Sequence, residues 1–343
     1  MKLAIHNSNA GFHPRWIAYC EEKGIPYKVV NCYDNDIIQQ LQDCDALMWH
    51  HTQTHPADIL IAMQILFSLQ HSGKKVFPDF NTNWHFDDKA GQKYLLEAIG
   101  APLVPSYVFY KRQEALDWVE GTIFPKVWKL RGGAGSQHVR LIKSKQQAKK
   151  IIQQAFGKGF SQYHGWSNLQ ERWRKYRLGL TSLKDVLKGL VRLGYATEFS
   201  KVAGKERGYV YFQDFIPGND SDTRIIVIGN NAFALKRFVR KDDFRASGSG
   251  NFKYEREVFD EHCIKIAFEV TKALSAQCMA YDFVFHDNVP MIVEISYGFS
   301  PSGYDDCPGY WDESLVWHDG RFNPYGWMVE LMISSNQSNL FKK

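Results

Sequence analysis

Two apolar runs near the C-terminal end constrain the fold of this chain more than any other stretch. They are Ala280–Phe285 and Pro290–Ile295, and the polar segment His286–Val289 lies between them. Runs rich in Val, Ile, Phe and Tyr that are bounded by Asp, Asn and Pro are typical of a β-hairpin. The sequence therefore predicts two antiparallel strands joined by a short turn.

The predicted hairpin carries one acid on each strand. If the turn centres on Asn288, then Asp282 lies directly opposite Glu294, with Cβ atoms roughly 5 Å apart. Two carboxylates at that distance repel each other and are costly to desolvate, so a cation is expected between them. Mg²⁺ prefers oxygen ligands and commonly brings phosphates with it, and Ser296 points to the same face as Glu294. The alternative is an exposed hairpin face whose acids are simply solvated.

Composition excludes several classes of protein. The chain has 343 residues, of which 44% are hydrophobic and 23% charged, as in a soluble globular protein with two or three subdomains. Its net charge of +5 is compatible with anionic small molecules and does not require a nucleic acid. Six scattered cysteines without a C-x-x-C pair favour a reducing compartment over a disulfide framework. With no apolar run near the ~20 residues of a membrane span, we expect a cytoplasmic protein without a transmembrane segment.

The first part of the chain alternates between strand and helix patterns, which predicts a small parallel sheet in a doubly wound unit. The predicted strands are Leu3–His6, Tyr27–Asn31, Ala46–Trp49 and Lys75–Phe77, and the helices are Pro14–Lys23, Asp36–Leu41 and Pro56–Ser72. Three histidines, His50, His51 and His55, follow the third strand. We interpret them as loop residues near a site at the strand ends, with metal ligation as the alternative.

A glycine-rich turn is predicted between two strands, directly after Lys129. Gly132, Gly133 and Gly135 would let backbone N–H groups approach a phosphate, and Ser136 adds a hydroxyl. Lys129 is placed to balance the phosphate charge. The order strand, turn, strand differs from a Walker A loop, in which a helix follows. A purely structural tight turn is the alternative.

Residues 161–207 combine basic residues with apolar residues at helical spacing. The basic residues are Arg172, Arg174, Lys175, Arg177, Lys184, Lys188 and Arg192. The favoured interpretation is a solvated helix packed on its domain. The alternative is a basic insertion that meets an anionic polymer or a membrane surface.

Three features occur in one order along the chain: a lysine before a glycine-rich turn, a strand ending in Gln-Asp-Phe-Ile-Pro-Gly followed by Asp-x-Arg, and the Asp…Glu-x-Ser hairpin. Together they resemble the ATP-grasp superfamily, near its glutathione-synthetase, D-alanine–D-alanine-ligase and protein glutamate-ligase types. The resemblance covers roughly 87–300. It implies an α/β (α+β) fold with a small N-terminal doubly wound α/β domain before a two-lobed ATP-grasp domain. The implied division is 1–86, 87–207 with an insertion at 161–207, 208–335 with the hairpin, and a tail at 336–343.

The resemblance also implies roles for individual residues. The positions that match ATP-binding residues are Lys89, Lys129, Gly132, Gly133, Gly135, Ser136, Gln213, Asp214, Ile216 and Asp222. The positions that match basic residues near the transferred phosphoryl group or the acceptor carboxylate are Arg224, Arg237 and Arg245. Asp282 and Glu294 match the Mg²⁺ ligands, and Ser296 stands where the family pattern has Asn.

The implied activity is an ATP- and Mg²⁺-dependent carboxylate–amine ligase that forms an amide or peptide bond through an acyl phosphate. Phosphoryl transfer depends mainly on positioning and charge neutralisation, which lysines, arginines and Mg²⁺ supply. The implied partners are ATP, a carboxylate acceptor and an amine donor, and a homodimer through the α/β face is compatible with this interpretation. An ATP-grasp kinase and an ATP-binding protein without turnover are the alternatives.

The segment Ser300–Trp327 is rich in Tyr, Trp, Asp, Gly and Pro. Aromatic rings beside carboxylates commonly hold sugars. One hypothesis is therefore that the substrate is a sugar acid or an envelope polysaccharide intermediate. The alternative is that these rings pack the C-terminal segment onto the core.

Overall fold

The computed structural model of the chain describes residues 1–8, 11–53, 55–132, 138–161, 169, 172–173, 176–177, 182–194, 202, 204–240, 243–246, 248 and 250–334. These residues form sheets of four, four and seven strands and a two-stranded ribbon. All six cysteines are buried free thiols. No helix within the described ranges has the length and apolar character needed to cross a bilayer.

The first sheet is parallel and has helices on both faces, as the alternating pattern predicts. Its strands are β1 (Leu3–His6), β2 (Tyr27–Val30), β3 (Ala46–Met48) and β4 (Lys75–Phe77), in the order β2-β1-β3-β4. Its helices are α1 (His13–Lys23), α2 (Ile37–Gln40), α3 (Pro56–His71) and α4 (Phe80–Asn83). Trp16 of α1 and Leu66 of α3 belong to separate cores on the two faces, so the sheet is doubly wound.

The second sheet is antiparallel and has the order β5-β10-β6-β7. The elements of this lobe are α5 (Lys89–Ala98), β5 (Ser106–Phe109), α6 (Arg112–Gly121), β6 (Lys126–Lys129), β7 (Val139–Ile142), α7 (Lys145–Ala155), β8 (Phe160–Ser161), α8 (Leu183–Gly194), β9 (Lys205–Glu206) and β10 (Val210–Asp214). Buried Trp128 and Phe212 join the sheet to α6 and α7 in one core. β10 lies in this sheet, paired with β5 and β6, and the predicted domain boundaries stay predictions.

The third sheet has the order β15-β14-β11-β12-β16-β17, and β13 pairs with β12. Its elements are β11 (Ser221–Ile228), β12 (Asn231–Phe238), β13 (Phe252–Lys253), α9 (Glu261–Leu274), β14 (Cys278–His286), β15 (Val289–Ser296), β16 (Gly309–Asp312), β17 (Trp317–Asp319) and α10 (Pro324–Ile333). Ile264 and Ala267 of α9 are buried against one face. On the other face Phe233 shares a core with Trp16 and Phe77, so this sheet is packed against the N-terminal domain.

The turn of the hairpin β14–β15 has two residues. Asp287 and Asn288 both have left-handed backbones, with φ of 50° and 65°. His286 and Val289 are the first pair beyond them. Left-handed residues at both central positions are the form that matches the twist of the flanking strands. The predicted turn centred on Asn288 is therefore wrong, because Asp287 and Asn288 share the centre.

A β-bulge changes the register further along the hairpin. Phe283 pairs with Ile292, whereas its neighbour Asp282 pairs with Glu294, so Val293 is the extra residue. The predicted opposition of Asp282 and Glu294 is confirmed. This pairing results from a two-residue turn combined with a bulge. The sequence suggested an uninterrupted ladder of paired residues, which this hairpin does not have.

The aromatic C-terminal segment packs onto the core. Tyr304, Trp311 and Tyr325 are all buried. In α10, Met328 accepts a hydrogen bond from the indole of Trp16 at 3.4 Å. The alternative interpretation of this segment is thus confirmed for these rings: Tyr304 and Tyr325 lie in the core that contains Trp16 of α1, and Trp311 lies in the core that contains α9.

Candidate active site

A cavity of about 470 Å³ opens where the hairpin, the start of α5 and the ends of the first two sheets meet. This volume is ordinary for a small-molecule site. Six of the predicted site residues line it: Lys89, Gly132, Arg224, Asp282, Glu294 and Ser296. The predicted residues that are described but do not line it are Lys129, Gln213, Asp214, Ile216, Asp222, Arg237 and Arg245. Gly133, Gly135 and Ser136 lie outside the described residues.

An ion pair joins the first turn of α5 to the last strand of the hairpin. The side chain of Asp88 caps α5 by accepting a hydrogen bond from Gly91 N at 3.0 Å, which places Lys89 at the first helical position. Lys89 Nζ lies 3.1 Å from Glu294 Oε1. Burial opposes both charges, but Glu294 and Asp87 raise the pKa of Lys89, while Lys89 and Lys129 lower the pKa of Glu294. Both members of the pair are therefore charged at neutral pH.

A network of two acids and two arginines lies beside that pair. β11 is the central strand of three, and its Arg224 is directly opposite Asp282 of β14, while its Asp222 is directly opposite Arg237 of β12. Arg237 donates to both oxygens of Asp222 at 2.6 and 2.7 Å and also lies 2.8 Å from Asp282. Arg224 Nε lies 3.4 Å from Asp282 Oδ1. Adjacent strands thus bring together residues that are far apart in sequence.

The network shifts the pKa values of its two acids in opposite directions: burial raises the pKa of Asp222 to about 6 against the effect of Arg237, whereas the pKa of Asp282 is lowered. Although burial alone would raise the pKa of Asp282, Arg224 and Arg237 lower it. Burial would likewise lower the pKa of Arg237, but Asp282 and Asp222 raise it. The arginines therefore supply the positive charge that the sequence reasoning assigned to a metal ion alone.

The residues present still fit a divalent cation. Asp282 Oδ1 is buried and accepts no hydrogen bond from the protein. Carboxylate oxygens are ligands that Mg²⁺ prefers. Among the described residues, no group of three or more His, Cys, Asp or Glu side chains is arranged to hold a metal. A bound Mg²⁺ would therefore need phosphate and water oxygens besides Asp282 and Glu294.

The hydroxyl of Ser296 is hydrogen-bonded to the backbone of Gly298. Its hydroxyl donates to Gly298 O at 3.1 Å and accepts from Gly298 N at 3.2 Å. A hydroxyl has two acceptor lone pairs, so one remains for another ligand. An asparagine at this position would offer a longer carbonyl arm, and Ser296 stays a predicted metal ligand.

Lys129 ends β6 next to the cavity. Its side chain is buried, and burial lowers the pKa of Lys129 to about 8, with neighbouring Lys89 acting in the same direction and Glu294 opposing it. A buried ammonium of this kind is stabilised by an added anion. Lys129 is thus suited to a phosphate group, although it does not itself line the cavity.

The described part of the glycine-rich turn already binds a carboxylate. The backbone N–H of Gly132 donates to Glu206 Oε1 at 3.1 Å, and that of Arg131 donates to Glu206 Oε2 at 3.2 Å. Successive N–H groups that converge on one carboxylate are an arrangement that also suits a phosphate.

The predicted adenine segment links the second and third sheets. The side chain of Gln213 donates to Ser106 Oγ at 3.1 Å and to Val293 O at 3.2 Å. Asp214 forms an ion pair with Lys126 at 2.5 Å. Gln213 therefore connects β10 directly to the bulge of the hairpin, and the adenine role of this segment stays a prediction.

Arg245 lies apart from the cavity. Its guanidinium contacts the Asp243 carboxylate, with Nε to Oδ1 at 2.9 Å. Ser247, in the same loop, is outside the described residues. The proposed contact of Arg245 with an acceptor carboxylate stays a prediction.

Asp87 is a cavity residue that is not among the predicted site residues. Its backbone is left-handed, with φ of 52°, and it lines the cavity beside Lys89 and Glu294. Burial raises the pKa of Asp87 to about 6, with Lys89 opposing that shift. Because Asp88 already caps α5, the preceding acid is free for another task, and the Asp-Asp-Lys order could have indicated this.

Two histidines from the N-terminal domain also line the cavity. His50 and His51 line the cavity, as the sequence predicted, whereas His55 lies away from it with Tyr33 and Asp58. The ring of His50 stacks on Phe12 at 3.7 Å. Burial lowers the pKa of His50 to about 3 and that of His51 to about 4. Both histidines are therefore uncharged at neutral pH, in contrast with Lys89, Glu294 and Asp282 in the same cavity.

Comparison with known proteins agrees with this architecture. A family model for the RimK-like ATP-grasp domain matches residues 199–302. A RimK domain ATP-grasp protein from Sphaerobacter thermophilus is 13% identical, with a TM-score of 0.56 over 97% of this chain and 99% of that one. A D-alanine–D-alanine ligase from Bacillus anthracis, complexed with ATP, is 12% identical, with a TM-score of 0.53 over 89% and 91%.

A biotin carboxylase from Campylobacter jejuni is 12% identical, with a TM-score of 0.59 over 96% of this chain and 70% of that one. No curated protein matches the chain. At these identities the structural similarity establishes the fold, and the family model covers the strands that carry Arg224, Asp282 and Glu294. Residues 199–302 of this chain are thus similar to the RimK-like ATP-grasp domain, and the chain as a whole has the fold of these ATP-grasp proteins.

Proposed function

We propose that the protein is an ATP- and Mg²⁺-dependent ligase that joins a carboxylate to an amine through an acyl phosphate. The observation that carries this proposal is the convergence of Lys89, Glu294, Asp282 and Arg224 on one cavity. Cations for phosphate oxygens and acids for a divalent ion are what phosphoryl transfer requires. The Bacillus anthracis ligase of the same fold was solved with ATP, which supports ATP as the nucleotide in this proposal.

Each group has a distinct task in this proposal. Lys89 and Lys129 bind phosphate oxygens of ATP, the Gly132 N–H does so in place of its contact with Glu206, and Asp282 and Glu294 hold Mg²⁺. Bound Mg²⁺ neutralises charge on the phosphates. Arg237 contacts one oxygen of Asp282, and the other oxygen, which lies 3.4 Å from Arg224 Nε without accepting a hydrogen bond, is the one we assign to the metal.

Arg224 is placed for the transfer itself. It lines the cavity, and its Nε donates no hydrogen bond to the protein. In the first step an oxygen of the acceptor carboxylate attacks the γ-phosphorus of ATP, and ADP leaves. Arg224 stabilises the charge on the equatorial oxygens during this step. In the second step the amine attacks the acyl carbon, phosphate leaves, and the amine loses a proton as the amide forms.

The cavity residues say less about the chemical identity of the acceptor than about the nucleotide. In the segment Ser300–Trp327, Ser300 alone lines the cavity, so the aromatic rings of that segment do not support the sugar-acid hypothesis. The lining residues of the cavity also include neutral His50 and His51 and the apolar Phe86 and Phe299. We infer an acceptor whose carboxylate reaches Arg224 and whose remainder is uncharged.

A second candidate is an ATP-binding protein without turnover. The observation that favours it is Ser296, whose hydroxyl is tied to Gly298 and is shorter than the family's asparagine. If Ser296 cannot complete the metal site, ATP would bind and remain intact.

The deciding experiment measures release of ADP and phosphate from Mg·ATP against a panel of carboxylates crossed with a panel of amines, sugar acids included. The ligase requires release that depends on both partners and disappears in Glu294→Gln. Glu269→Gln, an exposed acid on α9, is the matched control and retains release. Nucleotide binding with no ADP in any combination would favour the second candidate, and ADP release with a phosphorylated acceptor and no free phosphate would indicate a kinase.

A further inference from the structure

Helix α8 exposes a stripe of leucines. Leu183, Leu187 and Leu190 are 50%, 53% and 49% exposed. Spacings of four and three residues place them on one face of the helix. Val186 and Gly189, by contrast, are buried. The helix therefore has one packed face and a separate apolar face in water.

The packed face is what holds α8 to the protein. A side chain at Gly189 would meet Arg172 Cδ at 2.9 Å and Leu169 Cδ1 at 3.1 Å, so this turn of the helix is closely covered. The Arg172 guanidinium also donates to the Asp185 carbonyl at 3.1 Å. Because these contacts use the other face, the leucine stripe is not needed to dock the helix.

Positive charge lies beside the stripe. Lys184 and Lys188 each follow a leucine of the stripe by one position and are exposed. Between residues 170 and 193 the sequence has seven Lys or Arg and two acids, so the segment is strongly basic. One of those acids, Asp185, is within 3.8 Å of Lys188.

Exposed aromatic rings occur in the same segment. Trp173 and Tyr176 are 50% and 37% exposed, and their ring centroids lie 5.8 Å apart. Trp and Tyr favour the boundary between water and lipid, where one part of the ring is apolar and another is polar. Leucines, lysines and such rings together are the composition of helices that lie in a membrane interface.

We propose that α8 binds an anionic lipid surface, with the leucine stripe at the boundary of headgroups and acyl chains and Lys184 and Lys188 toward lipid phosphates. The positive charge of Lys184 and Lys188 is complementary to the negative charge of an anionic lipid surface. A nucleic acid would pair with the lysines but leave three leucines in water, whereas a lipid surface satisfies both. The helix has 12 residues and is shorter than the ~20 of a membrane span, so it lies along the surface.

The test is sedimentation of the full chain with vesicles of phosphatidylcholine alone and of phosphatidylcholine mixed with phosphatidylglycerol. The protein sediments with the mixed vesicles, does not sediment with phosphatidylcholine alone, and is released by high salt. Leu183→Ser/Leu187→Ser/Leu190→Ser lowers the vesicle affinity by about tenfold or more, because apolar surface is removed from the contact. Lys184→Glu/Lys188→Glu lowers it by about tenfold or more as well, because the attraction to anionic lipid becomes repulsion.

Two control variants match these changes elsewhere on the surface. Ile38→Ser/Leu60→Ser/Ile123→Ser alters three exposed apolar residues, and Lys265→Glu/Lys272→Glu alters two exposed lysines of α9. Both controls retain the wild-type vesicle affinity. Circular dichroism and ATP binding check that every variant is folded, and the readout is independent of ligase turnover.

Three results would overturn the proposal. They are no sedimentation of the wild-type chain with anionic vesicles, equal loss in the control variants, and vesicle binding that survives both the serine and the glutamate substitutions in α8. If the chain bound a single-stranded RNA probe but no vesicles, the ligand of α8 would be a polyanion and the lipid proposal would be wrong.

Discussion

Asp282 and Glu294 lie directly opposite each other on β14 and β15, yet each carboxylate has its own cation. Arg237 contacts Asp282, and Lys89 contacts Glu294. The two acids are therefore ionised before any metal arrives. A metal ion would therefore bind to two carboxylates whose negative charges Lys89 and Arg237 already largely neutralise.

Glu294→Gln removes one proposed metal ligand while it preserves the shape of the side chain. We expect ATP turnover to fall by about a hundredfold or more, because charge that stabilises the transferred phosphoryl group is no longer held in place. Steady-state ADP release measures this. Glu269→Gln serves as the control, and activity within a factor of two of wild type in Glu294→Gln would contradict the assignment.

Arg237→Met tests the buried network by its effect on stability. Removal of Arg237 leaves Asp222 and Asp282 without their shared partner, so the free energy of unfolding should fall by about 3–5 kcal/mol. Urea denaturation measures the loss. Arg256→Met, at an arginine whose side chain is 47% exposed, should change stability by less than about 1 kcal/mol. Equal effects in the two variants would show that the network does not stabilise the fold.

His50→Phe tests whether His50 is uncharged in the folded protein, through the dependence of stability on pH. Burial lowers the pKa of His50 to about 3 from an ordinary value of 6.5, so between these values the unfolded chain binds a proton that the folded chain does not. Stability therefore falls as the pH drops below about 6.5. Phenylalanine preserves the stacking on Phe12 and removes the proton.

Between pH 6.5 and pH 4 the variant should lose about 3 kcal/mol less than wild type. Unfolding by urea at a series of pH values measures the difference. His262→Phe, at a histidine whose side chain is 80% exposed, should follow the wild-type curve. A slope in His50→Phe that matches wild type would mean that His50 is protonated in the folded protein.

Gly326→Ala tests the docking of α10 onto α1. A side chain at Gly326 would lie 2.6 Å from Tyr19 Cε2, and the Tyr19 hydroxyl also donates to Glu330 of α10 at 2.8 Å. The ring must shift, so we expect a loss of about 1–3 kcal/mol in stability. Gly121→Ala, where nothing lies within 4 Å of the added carbon, is the control and should be nearly neutral. A neutral Gly326→Ala would indicate that α10 packs loosely.

Local patterns predicted much of the fold. The strands of the first sheet and most helices match within a residue or two, because alternating apolar runs and terminal Gly or Pro residues mark them. The bulge at Val293 was not predicted, since no residue type specifies it. The pairing of Asp282 with Glu294 was predicted correctly, although the predicted turn was centred one half-residue too far along the chain and the bulge was missed.

Long-range pairing could not be predicted from local patterns. β10 joins β5 and β6, although the sequence suggested that it began the next lobe. The contacts of Arg237 with Asp222 and Asp282 depend on the order β14-β11-β12, which no single segment encodes. For the same reason the sequence predicted a metal between the acids but not the side chains that already neutralise them.

The acyl phosphate is the central claim, and oxygen transfer tests it most directly. The acceptor carboxylate that supports ADP release is labelled with ¹⁸O and turned over with Mg·ATP and the amine, and the released phosphate is examined by mass spectrometry. The ligase predicts that each phosphate carries one ¹⁸O, because the carboxylate oxygen that attacks the γ-phosphorus leaves with it. Unlabelled phosphate, with both ¹⁸O atoms still in the acceptor, would contradict an acyl phosphate and with it the proposed function.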